Sequence, residues 1–408
     1  MDYDIIIIGG GPAGMTAAIA ASSNHKKVCI LEHNDRVGQK ILSTGNGKCN
    51  LTNQNISPSC YKSDSGTDFY SVIEAFMPAK VIDFFKSLGL LTKEKNGYIY
   101  PRSEQASSVL DTLRYALSKY GINVHTSVNI QNCKSTKDGF IIHTDKTTYS
   151  CQRLILAAGS KCAPKTGSDG SGYAIACNFG HSIIPVIPAL VQLKCKESFY
   201  KELQGVRTEA CLSLTDGNMI TATEKGELQL TDYGISGIPV FQISRYVKRL
   251  IDSGKKPVIY IDFFPESSKE VLFETIRRFM EFNPEAEASK ALCGIFNKKL
   301  SNVFLKECGI KPSTPCQNTD KADCEKLADK IKKFAVIPID TLDFMHAQVC
   351  AGGVNLSEIN FPSMESKIVP GLFFAGEITD VDGKCGGYNL QWAFSSGYAA
   401  GVHASVLP

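Results

Sequence analysis

The sequence predicts an α/β fold in which the chain leaves one domain, forms an insertion and returns to the first domain. Three observations predict it. A short β-branched run, residues 4–8, leads directly into a glycine-rich turn and an apolar helix. Near the other end, residues 371–377 form a second apolar run that ends in small residues. Between them, from about residue 190 to 345, short β-like runs precede a charged helical stretch.

Length and composition restrict the class of protein. A chain of 408 residues has room for two or three domains of about 150 residues. With 43% hydrophobic and 21% charged residues, it is neither a disordered chain nor a coiled coil. The net charge is +3, and the charged residues do not form long runs of one sign. Both features argue against a nucleic-acid partner. We expect a cytoplasmic protein, because we find neither a signal-peptide pattern nor a membrane span of about 20 apolar residues.

The 15 cysteines are interpreted as reduced thiols, because their density is below that of a disulfide scaffold. Cys308, Cys316 and Cys324 come nearest to a metal cluster, but no CxxC pair or His-x-x-His spacing accompanies them, so we predict no metal site. Cys49 also has no CxxC partner, which argues against a disulfide-reductase role.

The turn after the first strand has the sequence Gly-Gly-Gly-Pro-Ala-Gly over residues 9–14. Gly9 can make the tight turn, Gly11 has no side chain to block a pyrophosphate, and Gly14 lets the helix approach the strand. Glu32 ends the next strand, where a carboxylate accepts hydrogen bonds from a ribose. This pattern predicts a Rossmann-like dinucleotide site. The acidic residue favours a free 2′-hydroxyl, and therefore FAD or NAD rather than NADP.

The C-terminal strand favours FAD over NAD. Residues 375–377, Ala-Gly-Glu, end this strand, and residues 386–390 open a helix that extends to about residue 406. An extended flavin needs donors at its far end, and the N–H groups of a helix start can stabilise negative charge on the reduced ring. An apolar strand over residues 153–160 also ends in small residues, as close passage beside a cofactor requires.

These pieces resemble the two-dinucleotide-fold flavoproteins, and two longer motifs narrow the resemblance. Residues 38–53 (GQKILSTGNGKCNLTN) and 383–393 (GKCGGYNLQWA) are similar to bacterial FAD proteins labelled aminoacetone-oxidase-like or bile-acid ene-reductase-like. The resemblance covers the whole chain. It implies a discontinuous Rossmann-like FAD-binding domain of three-layer ββα type, with an inserted β-rich domain and a nested small helical domain. Cys385 and Asp232 depart from the residues common in this family.

The predicted domain boundaries follow from the composition change. The FAD-binding domain covers residues 1–189 and 346–408, the β-rich substrate domain covers 190–265 and 334–345, and the helical subdomain covers 266–333. The glycines of residues 167–173 are spaced GxxGxG without a dinucleotide-type strand directly before them, so we find one dinucleotide fingerprint. NADH or NADPH is therefore expected only as a transient electron donor.

The glycine-rich turn and the resemblance together predict a set of contacts with non-covalently bound FAD. In the resemblance, the loop after the second strand covers the pyrophosphate and flavin, and the backbone around Val128 reaches the adenine. The predicted cofactor-binding residues are Gly9, Gly11, Pro12, Ala13, Gly14, Glu32, His33, Gln39, Lys40, Ser43, Gly45, Gly47, Lys48, Cys49, Asn50, Val128, Ala157, Ala158, Gly159, Gly376, Glu377, Asp380, Gly387, Tyr388, Asn389 and Leu390.

The resemblance and loop composition place the substrate over the flavin ring, between the FAD domain and the insertion. Tyr233 or Tyr388 is the expected proton donor, since a phenol combines an apolar ring with a donor. The candidate substrate residues are Thr231, Asp232, Tyr233, Ser236 and His346.

The leading hypothesis is an FAD-dependent oxidoreductase that uses NAD(P)H to reduce a conjugated carbon–carbon double bond in a small molecule. Two alternatives remain open. One is a flavin-dependent amine oxidase that passes electrons to oxygen, and the other is a flavin-carrying RNA-modifying or RNA-binding protein. The oligomeric state is not predicted.

Overall fold

A computed structural model describes residues 1–22, 24–66, 68–217 and 219–406 of the chain. The chain divides into two compact units. Unit 1 consists of Met1–Ile187 and Ala347–Pro408, and unit 2 consists of Pro188–His346. Unit 1 is therefore built from both ends of the chain.

The first part of the chain contains β1 (Tyr3–Ile8), α1 (Pro12–Ser22), β2 (Val28–Leu31), β3 (Thr52–Asn53), β4 (Tyr61–Lys62), α2 (Tyr70–Ala75), α3 (Pro78–Ser87), β5 (Thr92–Lys95), β6 (Tyr98–Pro101), α4 (Ala106–Lys119), β7 (Asn123–His125), β8 (Ile130–Thr136), β9 (Gly139–Thr144), β10 (Thr148–Leu156), α5 (Ser171–Asn178) and β11 (Ile183–Ala189). Unit 2 continues with β12 (Leu193–Cys195), α6 (Tyr200–Leu203), β13 (Arg207–Thr215), β14 (Ile220–Leu230), β15 (Gly234–Gly237), α7 (Ile238–Asp252), β16 (Val258–Asp262), α8 (Lys269–Phe282), α9 (Ala288–Leu292), α10 (Lys298–Glu307), α11 (Lys321–Lys332), β17 (Phe334–Val336) and β18 (Pro338–Thr341). The chain then completes unit 1 with β19 (Val349–Val354), β20 (Ile359–Asn360), β21 (Glu365–Ser366), β22 (Leu372–Phe374), β23 (Asp382–Gly383) and α12 (Tyr388–Val406).

The main sheet of unit 1 has the strand order β20-β21-β22-β10-β1-β2-β7. Its central strands β22, β10, β1, β2 and β7 are parallel, and β9 joins β10 in antiparallel fashion. Residues 5–8 of β1 are all buried, because a parallel strand in the middle of such a sheet is covered on both faces. This explains the continuous β-branched run in the sequence.

Small residues bring α1 and α12 into close contact. A Cβ on Gly397 would lie 2.3 Å from the carbonyl oxygen of Ala13, and a Cβ on Gly401 would lie 2.3 Å from that of Ala17. Glycine is required at both positions because a larger residue would overlap with the α1 backbone. The last helix of the chain is therefore fixed against the first.

Residues 69–89, for which the periodicity predicts a helical segment, form two helices rather than one. α2 ends at Ala75 and α3 begins at Pro78. Proline has no N–H to donate and disfavours the helical conformation of the residue before it, which here is the extended Met77. The predicted loop over residues 33–53 also contains 3₁₀ turns over Gln39–Gly47.

Unit 2 contains a seven-stranded antiparallel sheet in the order β17-β16-β13-β14-β15-β12-β18. Side chains of the sheet such as Leu212 and Ile259 share one hydrophobic cluster with Leu272, Leu300 and Phe304 of the helices. The predicted division of this unit into a β-rich domain (residues 190–265 and 334–345) and a helical subdomain (266–333) stays a proposal. Within the described ranges, no helix is both long enough and apolar enough to cross a membrane.

Candidate functional site

The carboxyl ends of the parallel strands meet in one row of the unit 1 sheet. Ile8 is paired with Leu31 on one side and with Leu156 on the other, and Leu156 is paired with Phe374. The residues that follow these strands therefore lie along one edge. Ligands of open α/β sheets bind at this edge.

The glycine turn after β1 has the geometry that a dinucleotide requires. Gly9 has φ +103°, and a Cβ there would lie 2.4 Å from the carbonyl oxygen of Ala157. A Cβ on Gly14 would lie 1.9 Å from the carbonyl oxygen of Gly9. A Cβ on Gly11 would meet no heavy atom of the described residues within 4 Å. The open space beside Gly11, at the N-terminus of α1, fits a pyrophosphate.

Glu32 is buried at the end of β2 and is held by two backbone amides. The N–H of Gly10 donates to Oε2 at 2.7 Å, and the N–H of Asn34 donates to Oε1 at 2.8 Å. These hydrogen bonds fix the carboxylate beside the glycine turn, where a ribose would lie. The N–H of Val128 donates to the carbonyl oxygen of Glu32 at 3.0 Å, so this amide has a protein partner and is not a free donor for an adenine.

The turn before α12 and the first residues of this helix form a second group of candidate cofactor contacts, in addition to the glycine turn after β1. Gly387 has φ +94°, and a Cβ there would lie 2.8 Å from the carbonyl oxygen of Thr52 and 2.9 Å from Oδ1 of Asn50. The Asn389 side chain accepts from the N–H of Gly383 at 2.8 Å and donates to its carbonyl oxygen at 2.9 Å. Asn389 therefore holds the turn before the helix, and the helix N-terminus presents a positive dipole end.

Two buried oxygen atoms near these turns lack a hydrogen-bond partner within the part of the chain that is described: Oδ1 of Asn50 and Oδ1 of Asp380. The other oxygen of Asp380, Oδ2, accepts from Ser63, the N–H of Asp64 and Ser65. Burial raises the pKa of Asp380. Unpaired buried acceptors are rare in proteins, so both oxygens point to an additional group with donors, such as the hydroxyls of a flavin nucleotide.

Lys40 and Glu377 form an ion pair in which about a fifth of each side chain is exposed. Nζ of Lys40 also donates to Sγ of Cys162 at 2.8 Å, and Oγ of Ser160 donates to Oε2 of Glu377 at 3.1 Å. Burial alone would lower the pKa of Lys40, but Cys162 and Glu377 raise it overall. The ammonium group therefore stays charged next to the end of β22.

The remaining predicted residues of the loop after β2 differ in environment. Cys49 is buried, and burial raises its pKa to about 11, so its thiol is a poor nucleophile. Lys48 forms an exposed ion pair with Glu104 at 3.3 Å. Gln39 donates to Asp35 at 2.9 Å. His33, Ser43, Gly45 and Gly47 are exposed.

The other predicted cofactor residues lie along the same sheet edge. A Cβ on Gly376 would lie 2.8 Å from Cβ of Ala13, which brings the end of β22 against the first turn of α1. A Cβ on Gly159 would lie 2.6 Å from Oγ of Ser168. Pro12, Ala158 and Leu390 are half-buried at these turns.

The two candidate proton donors have different surroundings. The hydroxyl of Tyr388 donates to the carbonyl oxygen of Asn55 at 2.9 Å in unit 1, and burial raises the pKa of Tyr388. Tyr233 belongs to unit 2, where it is half-buried in the turn after β14, and burial raises its pKa also. The Thr231 side chain forms a hydrogen bond with Tyr233, so both phenols have a partner and both stay candidate proton donors.

The other predicted substrate residues are also in unit 2. The N–H of Thr231 donates to the carbonyl oxygen of Gly234 at 2.9 Å, which closes the turn that carries Asp232 and Tyr233. Ser236 is buried in β15. His346 is exposed, and its Nδ1 lies 2.7 Å from Oδ1 of Asp343. Their role in substrate binding stays a prediction.

Sequence reasoning missed several polar residues that the fold assembles. Cys162, Cys350 and Ser160 lie with Lys40 and Glu377, although the two cysteines come from distant parts of the chain. The buried hydroxyl of Tyr173 has no hydrogen-bond partner among the described residues, and Cys350 and Glu377 contribute to raising its pKa after burial, the main cause. Tyr173 comes directly after the glycines of the GxxGxG segment. This position next to a glycine-rich turn is the sequence feature that could have identified Tyr173 as a candidate site residue.

The parallel sheet, the glycine turn with its fixed carboxylate and the second helix N-terminus define a flavin nucleotide-binding protein. The family model of the HI0933-like protein Rossmann domain matches residues 3–403. The chain belongs to this family.

Two relatives match this chain over nearly its full length. The chain is 43% identical over 404 residues to a 3-dehydro-bile acid delta(4,6)-reductase of Clostridium scindens, covering 98% of this chain and 99% of the relative. It is 30% identical over 409 residues to a ribosomal RNA dihydrouridine synthase of Haemophilus influenzae, covering 98% of each. Among solved structures, a 3-ketosteroid delta1-dehydrogenase from Sterolibacterium denitrificans gives a TM-score of 0.53 at 11% identity over 99% of both chains, which shows the fold.

The predicted α/β fold class, the flavoprotein resemblance and the oxidoreductase class are confirmed. The chain is a flavin-dependent oxidoreductase with FAD as its cofactor.

Proposed function

We propose that this oxidoreductase reduces a carbon–carbon double bond conjugated with a ketone in a steroid-like small molecule, with NADH or NADPH as electron donor. The observation that carries the proposal is the 43% identity, over nearly the whole of both chains, to a protein named as a 3-dehydro-bile acid delta(4,6)-reductase. A ketone conjugated with the double bond makes its far carbon electrophilic, which is the electronic requirement for accepting a hydride.

When bound, FAD would supply the hydride, and residues of unit 1 would hold the cofactor and stabilise its negative charge. The N–H groups at the start of α1 would bind the pyrophosphate beside Gly11, and Glu32 would accept hydrogen bonds from the ribose hydroxyls. The N-terminus of α12 and the ammonium group of Lys40 would stabilise the negative charge of a reduced flavin. Glu377 keeps Lys40 in place through their ion pair.

We assign protonation of the substrate carbon to one of two phenols, Tyr233 or Tyr388. A phenol has an ordinary pKa of about 10 and therefore carries its proton at neutral pH, and burial raises the pKa of both tyrosines further. Either phenol can therefore donate to a carbon that becomes basic after hydride addition. The Tyr388 hydroxyl donates to the carbonyl oxygen of Asn55, and Tyr233 forms a hydrogen bond with the Thr231 side chain, so either phenol has to exchange its present partner for the substrate. The other candidate substrate contacts, Thr231, Asp232, Ser236 and His346, are proposed to surround the same substrate.

The electron donor is proposed to bind transiently. The sequence contains one dinucleotide fingerprint, which we assign to FAD. NADH would then visit the flavin and leave before the substrate binds. This order predicts ping-pong kinetics, with reduction of the enzyme complete before the second substrate reacts.

A second candidate is reduction of uridine in RNA, and the 30% identity to a ribosomal RNA dihydrouridine synthase favours it. The C5=C6 bond of uracil is conjugated with a carbonyl group, so the chemistry is of the same kind. The net charge of +3 provides little electrostatic attraction for a polyanion. We therefore place the small-molecule substrate first. A gel shift with ribosomal RNA distinguishes them, since nucleic-acid binding weakens steeply with salt.

The test is anaerobic stopped-flow absorbance of the FAD-loaded protein. It is reduced with NADH or NADPH and then mixed separately with a 3-oxo-4-ene bile acid, a uridine-containing RNA and oxygen. Rapid reoxidation by the bile acid and slow reoxidation by oxygen support the proposal. Reduction by a primary amine, without reduction by either nicotinamide, would instead support the amine-oxidase alternative.

A further inference from the structure

A small antiparallel sheet in unit 1 carries two tyrosines side by side on one face. The sheet has the order β3-β6-β5, with β6 in the middle. Tyr98 and Tyr100 are two residues apart in β6, so their side chains share one face, while Ile99 is buried on the other. The two ring centroids are 6.5 Å apart, with an interplanar angle of 28°. Tyr98 and Tyr100 thus form an aromatic pair, and both side chains are half-buried.

The aromatic pair borders two turns that are assigned to the flavin. A Cβ on Gly386, in the turn before α12, would lie 2.7 Å from Cε1 of Tyr98 and 3.6 Å from Cε2 of Tyr388. A Cβ on Gly45, in the loop after β2, would lie 3.9 Å from Cε1 of Tyr100. A molecule lying on the aromatic pair would therefore be next to both turns and close to Tyr388, a candidate proton donor.

The neighbouring strand β5 adds lysines to the same face. Lys95 is paired with Tyr98 in the antiparallel register, and residues that pair in this way project to the same side of a sheet. Lys93 is paired likewise with Tyr100. Lys93 forms an ion pair with Glu104, whereas Lys95 is exposed and has no ion pair within the described ranges. The face therefore combines two aromatic rings with the positive charge of Lys95 at their edge.

We propose that the aromatic pair and Lys95 bind the substrate of the proposed reduction, a flat polycyclic enone with an anionic tail. The inference rests on the proposed function. The two aromatic rings would cover one face of the fused apolar rings, and removing apolar surface from water favours this contact. The ammonium group of Lys95 would attract the anionic tail, which in a bile acid is a carboxylate.

A nucleobase could also stack on tyrosines, but the charges of this face argue against RNA. Binding of a nucleic-acid strand needs several cations that contact successive phosphates. Lys48 and Lys93 both form ion pairs with Glu104, so neither is fully available to a phosphate. Lys95 supplies one positive charge, which fits one carboxylate. Stacking of RNA is therefore the alternative outcome of the test.

The test is a titration of the oxidised holoenzyme with a 3-oxo-4-ene bile acid, without NADH or NADPH, followed by the change in flavin absorbance. The Tyr98→Ala and Tyr100→Ala variants should each show a Kd roughly tenfold higher, because each loses an aromatic contact. Neither hydroxyl has a hydrogen-bond partner within the described ranges, so Tyr98→Phe and Tyr100→Phe should keep the wild-type Kd. Tyr115→Ala is the matched control, because Tyr115 is an exposed tyrosine of α4, and it should leave the Kd unchanged.

The methyl ester of the same bile acid separates the role of the charge from that of the rings. Lys95→Met should raise the Kd of the free acid about threefold and leave the Kd of the ester unchanged. Lys146→Met, at another exposed lysine of unit 1, should change neither Kd. The two alanine variants should weaken the binding of both ligands. An RNA oligonucleotide that loses affinity in these variants, while the bile acid does not, overturns the inference in favour of RNA stacking.

Photolabelling of the unaltered holoenzyme does not depend on the folding of a variant. A diazirine analogue of the bile acid should label the peptide that contains residues 92–101, and excess unmodified bile acid should prevent the labelling. If the wild type binds and reduces the bile acid, but the label lies elsewhere and the alanine variants keep the wild-type Kd, the inference is overturned and the proposed function stands. Weaker FAD binding in the alanine variants assigns the tyrosines to the cofactor and also overturns the inference. A wild type that neither binds nor reduces the bile acid overturns both.

Discussion

Replacing Gly11 with valine should weaken FAD binding while leaving the apo-protein stable. A Cβ at Gly11 meets no heavy atom of the described residues within 4 Å, and its φ lies outside the left-handed region, so the free energy of unfolding should change by less than about 0.5 kcal/mol. The valine side chain would occupy the space assigned to the pyrophosphate. Losing one or two hydrogen bonds to this charged group costs about 3 kcal/mol, which corresponds to a Kd roughly 150-fold higher.

The matched control is Gly14→Ala in the same turn. Its Cβ would lie 1.9 Å from the carbonyl oxygen of Gly9, and relieving such an overlap costs about 1–3 kcal/mol of stability even without cofactor. Urea unfolding of the apo-proteins and fluorescence titration with FAD measure the two effects separately. The account of this turn is refuted if Gly11→Val binds FAD with the wild-type Kd, or if it destabilises the apo-protein as much as Gly14→Ala does.

Three further changes test other parts of unit 1. Glu32→Ala leaves two backbone N–H groups without their acceptor, so thermal denaturation should show a loss of about 1–3 kcal/mol, together with weaker FAD binding by titration. Gly401→Val should prevent α12 from packing on α1, giving little folded protein by circular dichroism; native-like spectra and stability would contradict this packing. Burial lowers the pKa of His181 below its ordinary value, so the unfolded chain binds the proton more readily and stability should fall as the pH drops below about 6.5. His181→Gln should reduce that pH dependence in urea unfolding, and an unchanged slope would contradict it.

Local patterns were sufficient to predict the βα turn and the parallel strands of unit 1. The turn needs glycine at Gly9 and Gly14 for reasons of backbone contact, and these requirements appear directly in the sequence. The burial of β1 on both faces likewise leaves a continuous apolar run. The helical periodicity of residues 69–89 was correct in type, but the break before Pro78 was missed because periodicity alone does not include the chemistry of proline.

The polar group around Cys162 could not be predicted from the sequence. Its members come from the loop after β2, the loop after β10, and β19 and the turn after β22, so no local spacing connects them. The environment of Tyr388 also depended on the tertiary fold, because Asn55, its hydrogen-bond partner, is distant in sequence. Side-chain chemistry indicated which residues could react, and the fold determined which of them meet.

The most direct measurement of the central claim is a single turnover of the FAD-loaded protein without any nicotinamide. The enzyme-bound flavin is photoreduced under anaerobic conditions, mixed with a 3-oxo-4-ene bile acid, and the products are quantified by mass spectrometry. The account predicts a product heavier by two hydrogens, formed as the flavin is reoxidised, in an amount of about one molecule per FAD. Flavin that stays reduced, or that is reoxidised without forming the saturated product, would contradict it.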